Sequence, residues 1–135
     1  MNHHMPSTAK SFIGQNIQSI ERIKEYEVKI YLANGEVWSL SVDGDCCSHS
    51  IFYDIVIPKE CVGSEILEVL ENVEGQSEEE VLRLFKDKFH DFFEFTDCLR
   101  IWDVVFKTKA GNILVRHINN SNGYYDGATS FKQLS

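Results

Sequence analysis

One stretch of this chain, Gly44-Asp-Cys-Cys-Ser-His-Ser50, places two thiols, a carboxylate, two hydroxyls and an imidazole side by side. A thiolate is a strong nucleophile, so Cys46 or Cys47 could attack an electrophile if His49, His90 or His117 took its proton. The spacing does not match known cysteine-enzyme signatures. His49, two residues from Cys47 in an extended segment, projects to the same side without being placed to act on it. The plainer expectation is a turn in which Asp45 and Ser48 bond backbone amides while the thiols fill small spaces in the core. Cys46 and Cys47 are sequence neighbours, between which a disulfide is strained. With Cys61, Cys98 and the histidines they could supply zinc ligands, but the C-x2-C and H-x3-H pairs of zinc sites are missing, so neither metal nor cofactor is expected.

A second stretch, Asn119-Asn-Ser-Asn-Gly-Tyr-Tyr-Asp-Gly127, has the Asn, Ser, Gly and Tyr composition that binding loops favour. The same residues could instead staple a chain reversal, with the tyrosines packed and their hydroxyls satisfied. Together the two stretches nominate Asp45, Cys46, Cys47, Ser48, His49, Asn119, Asn122, Tyr124 and Tyr125 as contact residues; no catalytic residue can be assigned. His117 is expected to be a satisfied strand residue rather than a base.

These stretches must be carried by strands. Tyr26 to Val42 contains two alternating runs around Asn34-Gly35: Tyr26, Val28, Ile30 and Leu32 share one face, and Trp38, Leu40 and Val42 share another. Asn-Gly suits a type I′ turn, so a tight hairpin is expected. A second hairpin is expected over Leu99 to Ile118, with Val104, Phe106 and Thr108 before the turn Lys109-Ala-Gly-Asn112, and Ile113, Val115 and His117 after it. Phe12 to Ile23, Ile51 to Ile57 and Ser64 to Asn72 are further strand candidates. Ser77 with Glu80 forms a capping box, and Glu78, Glu79 and Glu80 suit a helix N-terminus. Val81, Leu82, Phe85, Phe89, Phe92 and Phe93 then recur at helical spacing, predicting a helix over 77–93 whose apolar stripe covers a sheet.

Phe12-Ile-Gly-Gln-Asn-Ile17 and Cys61-Val-Gly-Ser-Glu-Ile66 share G-x-x-I, and each is followed by a hairpin. An internal repeat of this kind would bring the thiol-bearing and asparagine-rich stretches close together. The fold class expected is α+β: an antiparallel sheet built from two hairpin units with one amphipathic helix packed on it.

The chain has 135 residues, 43% of them hydrophobic, enough to bury one core and too few for two domains of ordinary size. Residues 1–10 are expected to be a disordered N-terminal segment and 11–135 a single α+β domain. No apolar run reaches membrane-spanning length and no secretory signal opens the chain, so a cytoplasmic protein with no membrane partner and reduced thiols is expected. A formal net charge of -8 opposes nonspecific attraction to nucleic acid.

At Gly44-Asp-Cys-Cys-Ser48 and Ser121-Asn-Gly-Tyr-Tyr125 the chain resembles an uncharacterised family of small phage and bacterial proteins, a domain of unknown function that pairs these two motifs. The resemblance covers most of residues 12 to 130. The chain departs from it at Asp126 before Gly127, and at His117-Ile-Asn119 where an Arg-Asn approach is common. It implies a phage or mobile-element setting and brings no activity, cofactor or catalytic residue. The function expected is therefore a non-enzymatic protein-binding or regulatory domain that meets a host or phage protein through the 45–49 and 119–125 turns. Two alternatives are a cysteine-dependent or metal-assisted enzyme using Cys46 or Cys47, and a structural subunit assembling through sheet edges; the oligomeric state is left open.

Overall fold

In the computed structural model, residues 9–43, 48–85, 87, 98–121 and 128–135 are described. They form eight antiparallel strands and one helix: β1 (Ile17–Lys24), β2 (Glu27–Leu32), β3 (Val37–Asp43), β4 (Ser48–Val56), β5 (Ile66–Glu74), α1 (Glu78–Phe85), β6 (Cys98–Thr108), β7 (Gly111–Ser121) and β8 (Ala128–Gln133). Short 3-10 turns, Ala9–Phe12 and Lys59–Cys61, precede β1 and β5. Ala9 and Lys10, the end of the segment assigned to the N-terminal tail, are thus part of a turn, and Ala9 is fully buried. No described helix is long and apolar enough to cross a membrane.

The mostly antiparallel, one-helix architecture agrees with the sequence; the single sheet does not. There are two four-stranded sheets, ordered β1-β2-β3-β8 and β4-β7-β6-β5. The reason is amphipathic alternation in every hairpin: each exposes one apolar face that must be covered, and here each sheet covers the other. Val28, Ile30, Leu32, Trp38 and Leu40 from the first sheet meet Phe52, Val104, Phe106, Ile113 and Val115 from the second in one continuous core.

Phe12 joins the two. Its ring lies 5.0 Å from Trp38 and 5.1 Å from Phe131 in the first sheet, and 5.6 Å from Phe106 in the second, in tilted or edge-on contacts that aromatic rings favour.

The first hairpin forms, with a different turn. Ile30 pairs with Trp38 and Val28 with Leu40, while Gly35 N–H donates to Leu32 O at 3.1 Å. Gly35 alone of the turn residues has positive φ, at 93°. This is a three-residue loop, a type I turn closed by a left-handed glycine, and not a type I′ turn. Directly opposed antiparallel residues share a face. A two-residue loop at Asn34-Gly35 would set Ile30, which faces the other sheet, against Ser39, which faces the opposite way and bonds Glu27, so packing selects the longer turn. Asn34 serves it by accepting Glu36 N–H through Oδ1 at 2.9 Å. The second hairpin closes with the two-residue loop 109–110 between the partners Thr108 and Gly111.

Helix α1 starts where the capping box predicts, with Glu80 N–H donating to Ser77 Oγ at 3.2 Å. Val81 is fully buried with Tyr53, Ile101 and Ile118, and Leu82 and Phe85 pack against that cluster on the outer face of the second sheet. The rest of the expected stripe, Phe89, Phe92 and Phe93, lies outside the described residues.

Replacing Phe12 by Ala removes the ring that contacts both sheets, and should lower unfolding free energy by about 3–5 kcal/mol. Urea unfolding followed by tryptophan fluorescence measures this, and a loss below about 1 kcal/mol would show that the sheets hold together without it.

Candidate functional site

Strand register decides how near the two unusual stretches come. Asp43 pairs with Ala128 across β3 and β8, and Ser48 pairs with Ser121 across β4 and β7. Residues 44–47 run from the first of these pairs to the second, and 122–127 run back between the same two pairs. The described residues that flank the two stretches therefore pair with each other at the ends of their strands, Asp43 with Ala128 in the first sheet and Ser48 with Ser121 in the second. Cys98 also pairs with Ser121, so a third chain segment enters β6 there.

Of the nominated residues, Asp45, Cys46, Cys47, Asn122, Tyr124 and Tyr125 lie outside the described residues. Ser48 and His49 are the first two residues of β4, not part of a preceding turn. Asn119 points inward: it is fully buried and donates through Nδ2 to Ser50 Oγ at 2.7 Å. Ser50, Asn119 and Arg100 form one row across β4, β7 and β6.

The next inward row is Phe52, His117 and Trp102. His117 is fully buried with its ring 5.9 Å from Phe52 and edge-on to it. The strand placement matches expectation, but the imidazole is not satisfied: neither nitrogen has a hydrogen-bond partner, and Trp102 Nε1 has none either. Burial of an unpartnered imidazole disfavours its charged form and pulls its pKa down to about 4. His117 is therefore neutral at physiological pH.

The outward face carries a group that the sequence reading missed. Arg116 lies between Asp54 and Asp103 in register, with Nε 3.6 Å from Asp103 Oδ1 and a terminal nitrogen 3.9 Å from Asp54 Oδ2. Burial pushes Asp103 up to about 6; Arg116 opposes this and Asp54 adds to it. Beside this row Tyr53 donates its hydroxyl to Gln76 Oε1 at 2.9 Å, and Gln76 Nε2 donates to Glu80 at 2.8 Å, tying β4 to the start of α1. Burial, chiefly, raises the Tyr53 hydroxyl pKa, so it stays a proton donor. A sequence signal existed: Asp54, Asp103 and Arg116 are charged positions inside strands that otherwise read as apolar. At the β5 and β6 side of the same end, a cavity of about 330 Å³ is lined by Glu74, Gln76, Ser77, Glu78, Arg100 and Trp102, among others.

His117 and Asp103 pull stability in opposite directions. His117 holds a folded pKa below its ordinary 6.5, so the stability of its neutral form is present above pH 6.5 and is lost as pH falls toward 4. Asp103 holds a folded pKa above 3.8, so its contribution runs the other way, with stability regained as pH falls through about 6. Replacing His117 by Leu should leave the second trend, to which Glu71, its carboxyl raised by burial, adds in the same direction. Relative to wild type, the variant should gain about 3 kcal/mol between pH 7 and pH 4, the worth of the difference between 6.5 and about 4. Urea unfolding at the two pH values reads this directly; parallel pH profiles would mean that the imidazole is protonated and accommodated in the fold.

The family described as Domain of unknown function (DUF7448) matches residues 10–131. No curated protein and no solved structure matches. The matched span runs from the 3-10 turn ahead of β1 into β8, taking in both sheets and both motif stretches, and the chain belongs to the DUF7448 family.

Proposed function

We propose that this is a non-enzymatic protein-binding or regulatory domain that contacts a host or phage protein through residues 45–49 and 119–125, in a phage or mobile-element setting inside the cell. The observation that carries this reading is the bracketing of both stretches by the same two register pairs, Asp43 with Ala128 and Ser48 with Ser121. Short segments anchored at both ends on packed sheets are where a rigid scaffold presents contact residues. Within 119–125, Asn119 anchors the stretch and the residues after it make the contact. Buried and bonded to Ser50, it positions the strand that leads into the tyrosines. The cavity beside Arg100 and Trp102 offers room for one partner side chain at the same end.

Two observations narrow the alternatives. A cysteine nucleophile needs its base within hydrogen-bond reach. His117, one of the three histidines considered for that part, pairs with Phe52, four residues along β4 from Ser48, a separation of about 13 Å at strand rise. Assembly through sheet edges needs flat, regular edge strands. Of the four edge strands, β1 has register shifts at both ends, and β5 has two shifts and Asn72 at φ 56°.

The test is affinity capture from a host lysate with the wild-type protein and with the Asn122→Ala/Tyr124→Ala variant, matched for thermal unfolding. Partner recovery should fall at least tenfold in the variant. Equal recovery would remove this face as the contact. Iodoacetamide labelling at pH 6 provides the second measurement, because a thiol reacting far faster than free cysteine would mark a catalytic residue.

A further inference from the structure

The strand order contains an exchange. Three consecutive strands, β1-β2-β3, make most of the first sheet, and three more, β5-β6-β7, make most of the second; β4 and β8, which follow the two triplets, each join the other triplet's sheet. We propose that residues 9–57 and 58–133 are two copies of one unit that exchange their fourth strands. Each unit closes its sheet only on the other, so the surface it presents fits a second copy of the same unit.

Hydrogen bonds repeat from one unit to the other. In the 3-10 turns, Ile13 N–H donates to Lys10 O at 3.2 Å and Val62 N–H to Lys59 O at 3.3 Å; Gln15 N–H donates to Phe12 O at 3.0 Å and Ser64 N–H to Cys61 O at 3.1 Å. Between the units the bonds are reciprocal, with Gly14 N–H donating to Ile66 O at 2.8 Å and Gly63 N–H to Ile17 O at 3.2 Å. Gly14 and Gly63 have matching backbones, at φ 83° and 79°. Asn16 and Glu65, equivalent by position, pair with each other in an isolated bridge, where an approximate two-fold axis must pass. The hairpin loops repeat the pattern: Ala33 N–H donates to Asn16 O at 2.9 Å and Lys109 N–H to Glu65 O at 3.2 Å.

The outer edges follow the same rule. Arg22 on β1 donates through Nε to Phe52 O on β4 at 3.1 Å, and its equivalent Glu71 on β5 accepts from Thr129 Oγ1 on β8. One unit alone would leave the open edge of β3 or β7 with a row of unpaired backbone groups, and an apolar face without its cover. A three-stranded meander in that state lacks the burial that stabilises a fold of this size.

The helix and residues 86–97 sit between β5 and β6, where the first unit has only the turn Glu25-Tyr26 between β1 and β2. They are an addition to the second copy and leave the exchange intact, because α1 packs on the outer face of its sheet.

The test uses the full chain with a protease recognition sequence inserted between Ile57 and Pro58, where β4 gives way to the second 3-10 turn. After cleavage the two pieces should co-elute at the size of the uncut protein with native circular dichroism. The urea midpoint of the cut protein should fall with each tenfold dilution, while that of the uncut protein stays constant. Pieces that separate on the column, with either one retaining its far-ultraviolet spectrum, would overturn the proposal. Hydrogen exchange on the uninserted chain gives an independent reading. Amides of β3–β8 and β4–β7 should be protected within about threefold of each other and lose protection together as urea is added; one unit opening well before the other would overturn it too.

Discussion

The pairing of β8 with β3 and of β4 with β7 is the constraint on which the rest of this molecule depends. Both pairings are antiparallel, in register over most of their length, and long-range in sequence. They oblige the chain to cross between sheets twice at the same end, and they close one core from both sides. Removing either pairing would do more than expose an edge. It would release the anchors of the two motif stretches and uncover Phe131 or Phe52, each of which lies in the shared core. Placement of the candidate contact residues and stability of the fold are for this reason one problem.

Along the inner face of the second sheet the chemistry changes in steps. Val104, Val115, Phe106 and Ile113 are apolar; the next row toward the motif end holds His117 and Trp102, and the one beyond holds Asn119 and Ser50. Asn119 and Ser50 satisfy each other, as buried polar groups must, whereas His117 remains neutral and unbonded. An unpartnered buried imidazole costs stability. His117 lies one row from Asn119 and Ser50, which pair across the same strands β7 and β4.

Most of the strands were legible because alternation is a local property. Val28, Ile30, Leu32 and Trp38, Leu40, Val42 announced two inward faces, and the structure buries all six, whereas Tyr26, read onto the first face, falls in the turn before β2 and is exposed. The same parity held the correct turn length, since two sets of even-numbered residues can face each other only around an odd-numbered loop; Asn-Gly preference pointed elsewhere and packing overruled it. The division into two sheets was not legible, because a hairpin's apolar face does not say whether a helix or another sheet will cover it. The repeat was visible as G-x-x-I ahead of each hairpin, at Gly14 and Gly63, where two glycines adopt left-handed backbone in equivalent turns. The exchange of β4 and β8 leaves no trace in local pattern, as it is decided by which open edge each fourth strand meets. Of the candidate site, Asn119 looked like a loop residue by composition, and only the register of β7 shows that it faces the core.

The β4 bulge shows how one irregularity can serve several contacts. Phe52 pairs with His117 and Asp54 with Arg116, so Tyr53 is an extra residue on its strand. Before the bulge Ser50 and Phe52 face inward; after it Ile55 and Ile57 do, packing on the core. Tyr53 and Asp54 therefore both turn outward, one to Gln76 at the foot of α1 and the other to Arg116. The bulge also frees backbone groups of Phe52 from the β7 ladder: its N–H donates to Glu25 O at 2.7 Å and its carbonyl accepts Arg22 Nε, both from the first sheet. A regular β4 would keep Asp54 or Ile55 on the wrong face and leave the edges of the two sheets unjoined. The strand that carries Ser48 and His49 is thus held on three sides: by β7 through its ladder, by α1 through Tyr53, and by the β1–β2 turn through Phe52. That rigidity reaches the crossover end along a single strand, so the positions of Ser48 and Ser121 are set by packing well away from the residues they present.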